Sequence, residues 1–167
     1  MGAGFRVAAL DATVHLRDGF SSGVPALDRY LREQASQDVR RRVAACFVAL
    51  AADERIAGFY TLAAASVPLA DLPDALRCKL PRYAAVPAIR MGRLAVDAAF
   101  HGQGLGGVLL VNALRRAAAA EVGAVALVVD AKDERAAAFY RHHGFVPLQA
   151  APLTLFLPLQ RLRNDTP

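Results

Sequence analysis

From Pro25 the apolar positions Leu27, Tyr30, Leu31 and Ala35 recur at i, i+3, i+4 and i+8, the spacing of one helical face. Proline suits a first turn, and Ser21 or Ser22 is available as an N-cap. After Arg40, Arg41 and Arg42 the chain turns β-rich. Val43 to Leu50 and Ile56 to Ala64, joined by the polar turn Asp53-Glu54-Arg55, read as an antiparallel hairpin. Residues 66–89 carry Pro68, Pro73, Pro81 and Pro87, which predicts a loop with at most a short helix around Asp74 to Leu80. A strand is expected from Ile89 to Val96, then a glycine-rich stretch, then a helix from about Leu105 to Glu121 lined by Leu109, Leu110, Ala113 and Leu114. Val125 to Asp130 predicts a buried strand, Asp133 to His143 a helix stopped by Gly144, and Leu153 to Leu159 a last strand. This order predicts an α+β (mixed α/β) fold, a central sheet flanked by helices.

Length and composition narrow the picture. With 167 residues, 55% hydrophobic and 21% charged, the chain has the size and make-up of one folded domain, read as residues 1–167. No apolar stretch approaches the ~18 residues of a membrane span, and Met1 to Leu10 lacks the features of a signal peptide. A soluble, cytoplasmic protein that does not engage a membrane is expected. Cys46 and Cys78 have no CxxC partner and no histidine at ligand spacing, which predicts two buried free thiols and no metal. The net charge is +5, and Lys79 and Lys132 are the only lysines, so arginine carries most of the basic charge. Arginine suits bidentate contacts to phosphate, and a polyanion or an acidic protein is a fitting partner. A GC-rich genome would produce the same arginine and alanine abundance.

The stretch His101-Gly102-Gln103-Gly104-Leu105-Gly106-Gly107 follows a strand and opens a helix. Free backbone N–H groups and the helix dipole converge at such a place, and glycine lets an anion approach, so a pyrophosphate is the expected ligand. Gly102, Gly104 and Gly107 also spell the G-x-G-x-x-G of a dinucleotide-binding fold. In that fold the first glycine follows the strand almost at once, whereas Asp97 to His101 intervene here, and too little chain follows to complete a parallel nucleotide domain.

Taken with Arg93-Leu94-Ala95-Val96-Asp97 before the loop and Phe139-Tyr140 with Gly144-Phe145 after it, the pattern resembles the GNAT family of acetyl-CoA-dependent N-acetyltransferases over nearly the whole chain. His101 departs from the glutamine or arginine usual at the head of that glycine motif. The resemblance implies a mostly antiparallel sheet with a splayed parallel strand pair. It also implies acetyl-CoA as cosubstrate, with the pyrophosphate on Gly102, Gln103, Gly104, Leu105, Gly106 and Gly107. The pantetheine arm would pair with Leu94, Ala95 and Val96, and Tyr140 would be the general acid.

Phe20-Ser-Ser-Gly23-Val-Pro-Ala-Leu27-Asp28-Arg29-Tyr30-Leu31, Arg42, Gly58-Phe59-Tyr60-Thr61-Leu62, Leu80-Pro81-Arg82-Tyr83 and Ala131-Lys132-Asp133 resemble the toxin branch of that family. Its members acetylate the amino acid on charged tRNA and are encoded beside ribbon-helix-helix antitoxins. The resemblance therefore implies aminoacyl-tRNA as acceptor, a ribbon-helix-helix antitoxin as partner, operator DNA reached only through that antitoxin, and a second copy of the chain, since dimers are common in the family. Arg40, Arg41, Arg42, Arg90 and Arg93 are the candidate tRNA contacts, as a polyanion requires basic charge around the site. The acceptor's α-amine has a reference pKa of roughly 8, so no strong base is needed; an oxyanion contact and a proton for the leaving thiolate are. His15, His142, His143 and the Asp53-Glu54 pair read as structural or solvated, and Asp133 as an N-cap. Two rival functions are acetylation of a small amine or a protein N-terminus, and a decayed enzyme that serves as a binding or corepressor module.

Overall fold

The computed structural model describes residues 4–160, so the first residues of the segment read for a signal peptide lie outside it. In chain order the elements are β1 (Arg6–Ala9), α1 (Pro25–Glu33), α2 (Ala35–Arg40), β2 (Ala45–Leu50), β3 (Ile56–Pro68), α3 (Asp74–Arg77), β4 (Ala85–Val96), α4 (Leu105–Ala119), β5 (Ala126–Asp130), α5 (Glu134–His142), β6 (Val146–Leu148) and β7 (Ala151–Pro158). The strands are hydrogen-bonded in the order β1-β2-β3-β4-β5-β7-β6. β1 with β2, β2 with β3, β5 with β7 and β6 with β7 are antiparallel. β4 and β5 are parallel, through Ile89↔Leu127, Arg90↔Val128 and Met91↔Val129. This is the mixed, mostly antiparallel sheet that the sequence predicts. Among the described residues no helix is long and apolar enough to cross a membrane. The chain divides into two compact units, residues up to Ala63 with Gly92–Ala113, and Ala64–Met91 with Leu114 onward.

In the first unit Phe20, Tyr30, Leu31, Ala35, Val48 and Phe59 share one core. The helical period from Pro25 is realised, but the helix breaks at Gln34 (φ −120°), so Ala35 begins α2. The predicted serine cap is not formed. Val24 occupies the N-cap position without a side-chain bond. Ser22 is buried instead, and its N–H and hydroxyl both donate to Asp28 Oδ1 (2.9 and 2.6 Å). β2 starts at Ala45 rather than Val43, because the Val43 N–H returns to Asp38 O (2.9 Å) and closes the end of α2. β1 was not predicted; it is an edge strand too short to show a hydrophobic period.

Gly58 on β3 is required by a close approach. A Cβ there would lie 2.8 Å from Leu109 Cδ1 and 2.9 Å from Ala95 O. Since one neighbour is backbone that cannot yield, Gly58→Ala is expected to destabilise by ~1–3 kcal/mol, the usual cost of overpacking. The denaturant midpoint measures it; an unchanged midpoint would mean that β3 and α4 are not held so tightly.

In the second unit Val67, Val86, Ala88, Ala126, Val128 and Phe156 form the core. The predicted loop over 66–89 is shorter than expected, since β3 runs on to Pro68 and β4 begins at Ala85. The proline-based break fails because extended backbone accommodates proline's φ, and Pro87 contributes its carbonyl, which accepts from Val125 N (2.9 Å). Asp133 caps α5 as predicted, its Oδ1 accepting from Ala136 N (2.9 Å), and Gly144 ends that region at φ +92°. The last strand begins at Ala151, preceded by the unpredicted β6. Cys78 is exposed rather than buried, because it follows the short surface helix α3. Cys46 is buried as predicted, and burial pushes its thiol up to about 12.

Candidate active site

β4 ends at a buried carboxylate. Asp97 donates its N–H to Ala57 O (2.8 Å), and its carboxylate accepts from Ser21 N and Ala99 N (both 2.9 Å). These bonds fix the 3₁₀ turn Ala98–Phe100 and so the start of the glycine loop. The local signal for Asp97 in the sequence is an acidic residue preceding a turn. His101 then folds back, its Nε2–H donating to Val96 O (2.7 Å).

Gly102 and Gly104 adopt φ +78° and +76°, and a Cβ at either would meet nothing within 4 Å. Val108 N donates to Gly104 O (3.2 Å); helix geometry leaves the preceding amides of the first turn without an intrahelical acceptor. They face outward at the positive end of a 15-residue helix. The cradle is open, left-handed where glycine permits it, and built of backbone donors, which fits a pyrophosphate. Gln103 is exposed, Gly106 and Gly107 are half-buried, and Leu105 is buried in the core, so it holds the loop down and does not face a ligand. Leu94 and Val96 are half-buried, whereas Ala95 is buried against Gly58.

In the second unit the ring of Tyr140 is buried between Phe139 (5.3 Å between centroids) and Phe145 (5.7 Å). Its hydroxyl makes no hydrogen bond with any described residue, unusual for a tyrosine so buried. Burial, and secondarily the charge of Asp130, push its pKa up to about 12. Asp130 is held by Arg90 and by Thr154 Oγ1 (2.8 Å). His143 Nδ1–H donates to Phe139 O (2.9 Å) and His142 is exposed, so both stay at the end of α5. Among the described residues no cluster of three His, Cys, Asp or Glu could hold a metal ion.

The five candidate arginines have different surroundings. Arg40, Arg41 and Arg42 are exposed where α2 ends. Arg42 has φ 60°, the left-handed position after a helix that glycine normally takes. Arg90 is engaged by Asp130, and the Arg93 guanidinium lies 3.6 Å from the centroid of the Tyr30 ring.

Over residues 11–145 the sequence matches the acetyltransferase (GNAT) family. The chain belongs to that family. As a GNAT protein it is an acetyltransferase that uses acetyl-CoA. It is 42% identical over 146 residues, 86% of each chain, to the tRNA-acetylating toxin of Mycobacterium tuberculosis. It is similar to the solved structure of AtaT complexed with acetyl-methionyl-tRNAfMet (27% identity, TM-score 0.89, 96% of this chain and 98% of that one). It is also similar to a mutant AtaT toxin bound to the C-terminus of the antitoxin AtaR (25% identity, TM-score 0.80, 96% of each chain).

Proposed function

We propose that this GNAT acetyltransferase acts in the cytoplasm, moving acetyl from acetyl-CoA to the α-amino group of aminoacyl-tRNA. The blocked amine cannot then attack in peptide-bond formation, and translation stops. A ribbon-helix-helix antitoxin restrains the enzyme and alone brings it to operator DNA; a second copy of the chain is a further partner. The chain works as one catalytic domain. The observation that carries this reading is the 42% identity, over most of both chains, with a protein named for acetylating tRNA.

Each set of residues has a distinct task. The backbone donors of Gly102 to Gly107 hold the pyrophosphate, and Leu94, Ala95 and Val96 offer backbone groups to the pantetheine arm, with one N–H polarising the thioester carbonyl. The acceptor amine is partly neutral at physiological pH and attacks without a strong base. The C–N bond forms and the C–S bond breaks; the proton lost by the amine ends on the coenzyme A sulfur. Tyr140 passes that proton. With its pKa near 12 the hydroxyl stays protonated, donates to the sulfur as charge develops there, and is reprotonated by the amine.

Purified enzyme with acetyl-CoA should acetylate charged tRNA and leave uncharged tRNA untouched. Equal kcat/KM on a small amine or a protein N-terminus would overturn this reading, and failure to bind acetyl-CoA would favour a binding module. Reversing charge at Arg40, Arg41 and Arg42 should weaken tRNA binding and flatten its salt dependence by about one slope unit per lost phosphate contact, with acetyl-CoA affinity intact. Arg42→Gly separates shape from charge. It relieves a left-handed side-chain conformation, so tRNA affinity should fall with no loss of stability; unaltered affinity would assign Arg42 to a solvated face.

A further inference from the structure

Between α1 and the end of β4 lies a cavity of about 320 Å³, its polar wall made by Arg29, Tyr30, Glu33, Gln34 and Arg93, within the size range of small-ligand sites. Arg93 is half-buried. One face of its guanidinium lies on Tyr30, and its N–H groups make no hydrogen bond or ion pair with any described residue. The nearby Asp38 carboxylate on α2 is already engaged, Oδ2 by the Tyr30 hydroxyl (2.8 Å) and Oδ1 by Gln34 Nε2 (2.9 Å). A planar fork of donors held rigidly by cation–π contact, partly withdrawn from water and lacking an acceptor, is suited to an external one.

The cavity wall narrows the ligand class. A bare phosphate would meet Arg29 and Arg93 favourably but would also face the Glu33 carboxylate. A nucleobase carries ring nitrogen or carbonyl acceptors for the arginine fork and an exocyclic amine for Glu33 or the side-chain Oε1 of Gln34, and its flat face can extend the Tyr30–Arg93 stack. Arg93 precedes Val96 by three residues, about 10 Å of extended strand. A base held here therefore lies close to the backbone assigned to the pantetheine arm. We propose that this cavity is a nucleobase subsite for the unpaired 3′ end of the acceptor tRNA, with Arg93 as its reading residue. The proposal rests on the aminoacyl-tRNA reading and deepens it.

The probe is the trinucleotide CCA with a fluorescent adenine analogue at its 3′ end, titrated into the full-length enzyme. The wild type should bind it. Arg93→Lys, which keeps the charge and loses the fork, should weaken binding at least tenfold and raise KM for charged tRNA, with acetyl-CoA affinity unchanged as a check that β4 is intact. Should Arg93→Lys fail to fold, Glu33→Lys at an exposed position serves instead and should weaken trinucleotide binding while leaving the chain basic. Unchanged trinucleotide affinity in either folded variant, or displacement of the probe by inorganic phosphate at equal concentration, overturns the nucleobase subsite. If wild-type enzyme acetylates charged tRNA while KM is untouched in Arg93→Lys, only the subsite falls. If it acetylates no charged tRNA, the parent reading falls.

Discussion

Tyr140→Phe is expected to lower acetyl transfer to charged tRNA by ~10²–10⁴-fold, the usual contribution of general-acid assistance, while folding and acetyl-CoA affinity survive. The substitution keeps the ring between Phe139 and Phe145 and removes a hydroxyl that no described residue uses, so packing has little to lose. Single-turnover acetylation and growth arrest in cells measure the outcome; transfer at the wild-type rate would return Tyr140 to a packing role. The pH dependence is a second readout. An ordinary phenol would ionise through pH ~10, but this one is pushed up to about 12. Transfer should therefore show no loss of the acid below pH 10. The folded pKa lies above the unfolded one, so the stability associated with Tyr140 is fully present below about pH 10 and is lost as pH rises through 12.

Gly104→Glu is expected to abolish acetyl-CoA binding in a folded protein. At φ +76° any side chain is strained, and the Cβ would point into space that no protein atom fills. If the proposed pyrophosphate assignment holds, that space lies on the anion's approach to the helix amides, and a carboxylate there would repel the anion as well as block it. Calorimetric titration with acetyl-CoA decides the matter. Unchanged affinity in a folded Gly104→Glu protein would reject the pyrophosphate assignment, and Gly104→Asn, which tolerates the left-handed conformation better, should retain more binding than the glutamate variant.

Much of the site was legible because its signals are local. The proposed cradle is a run of glycines between a strand and a helix, and the donors it would offer are backbone amides, so composition and order suffice to single it out. The Asp133 cap and the Gly144 stop were legible for the same reason, each depending on neighbours within a few residues. Local rules misled where a distant partner decided. Ser22 is a good cap by propensity, yet Asp28 takes its hydroxyl and leaves Val24 at the head of α1. Pro68 and Pro87 read as breakers, yet extended backbone in β3 and β4 accommodates both.

The sequence by itself determined the order of the longer elements, though not the short strands β1 and β6, together with the mixed sheet, the glycine-rich turn into α4 and the membership in a family of acetyltransferases, because periodicity, glycine spacing and motif order are properties of neighbouring residues. Only the tertiary structure separated the arginines that the sequence had grouped. Arg90 is engaged by Asp130, Arg93 is stacked on a tyrosine 63 positions earlier, and Arg40, Arg41 and Arg42 remain open to solvent. It also buried the Tyr140 ring while leaving its hydroxyl without a hydrogen-bond partner among the described residues. What a charged or phenolic group can do depends on which acceptors, rings and water surround it, and those come from segments far apart in the chain, brought together by packing of the core.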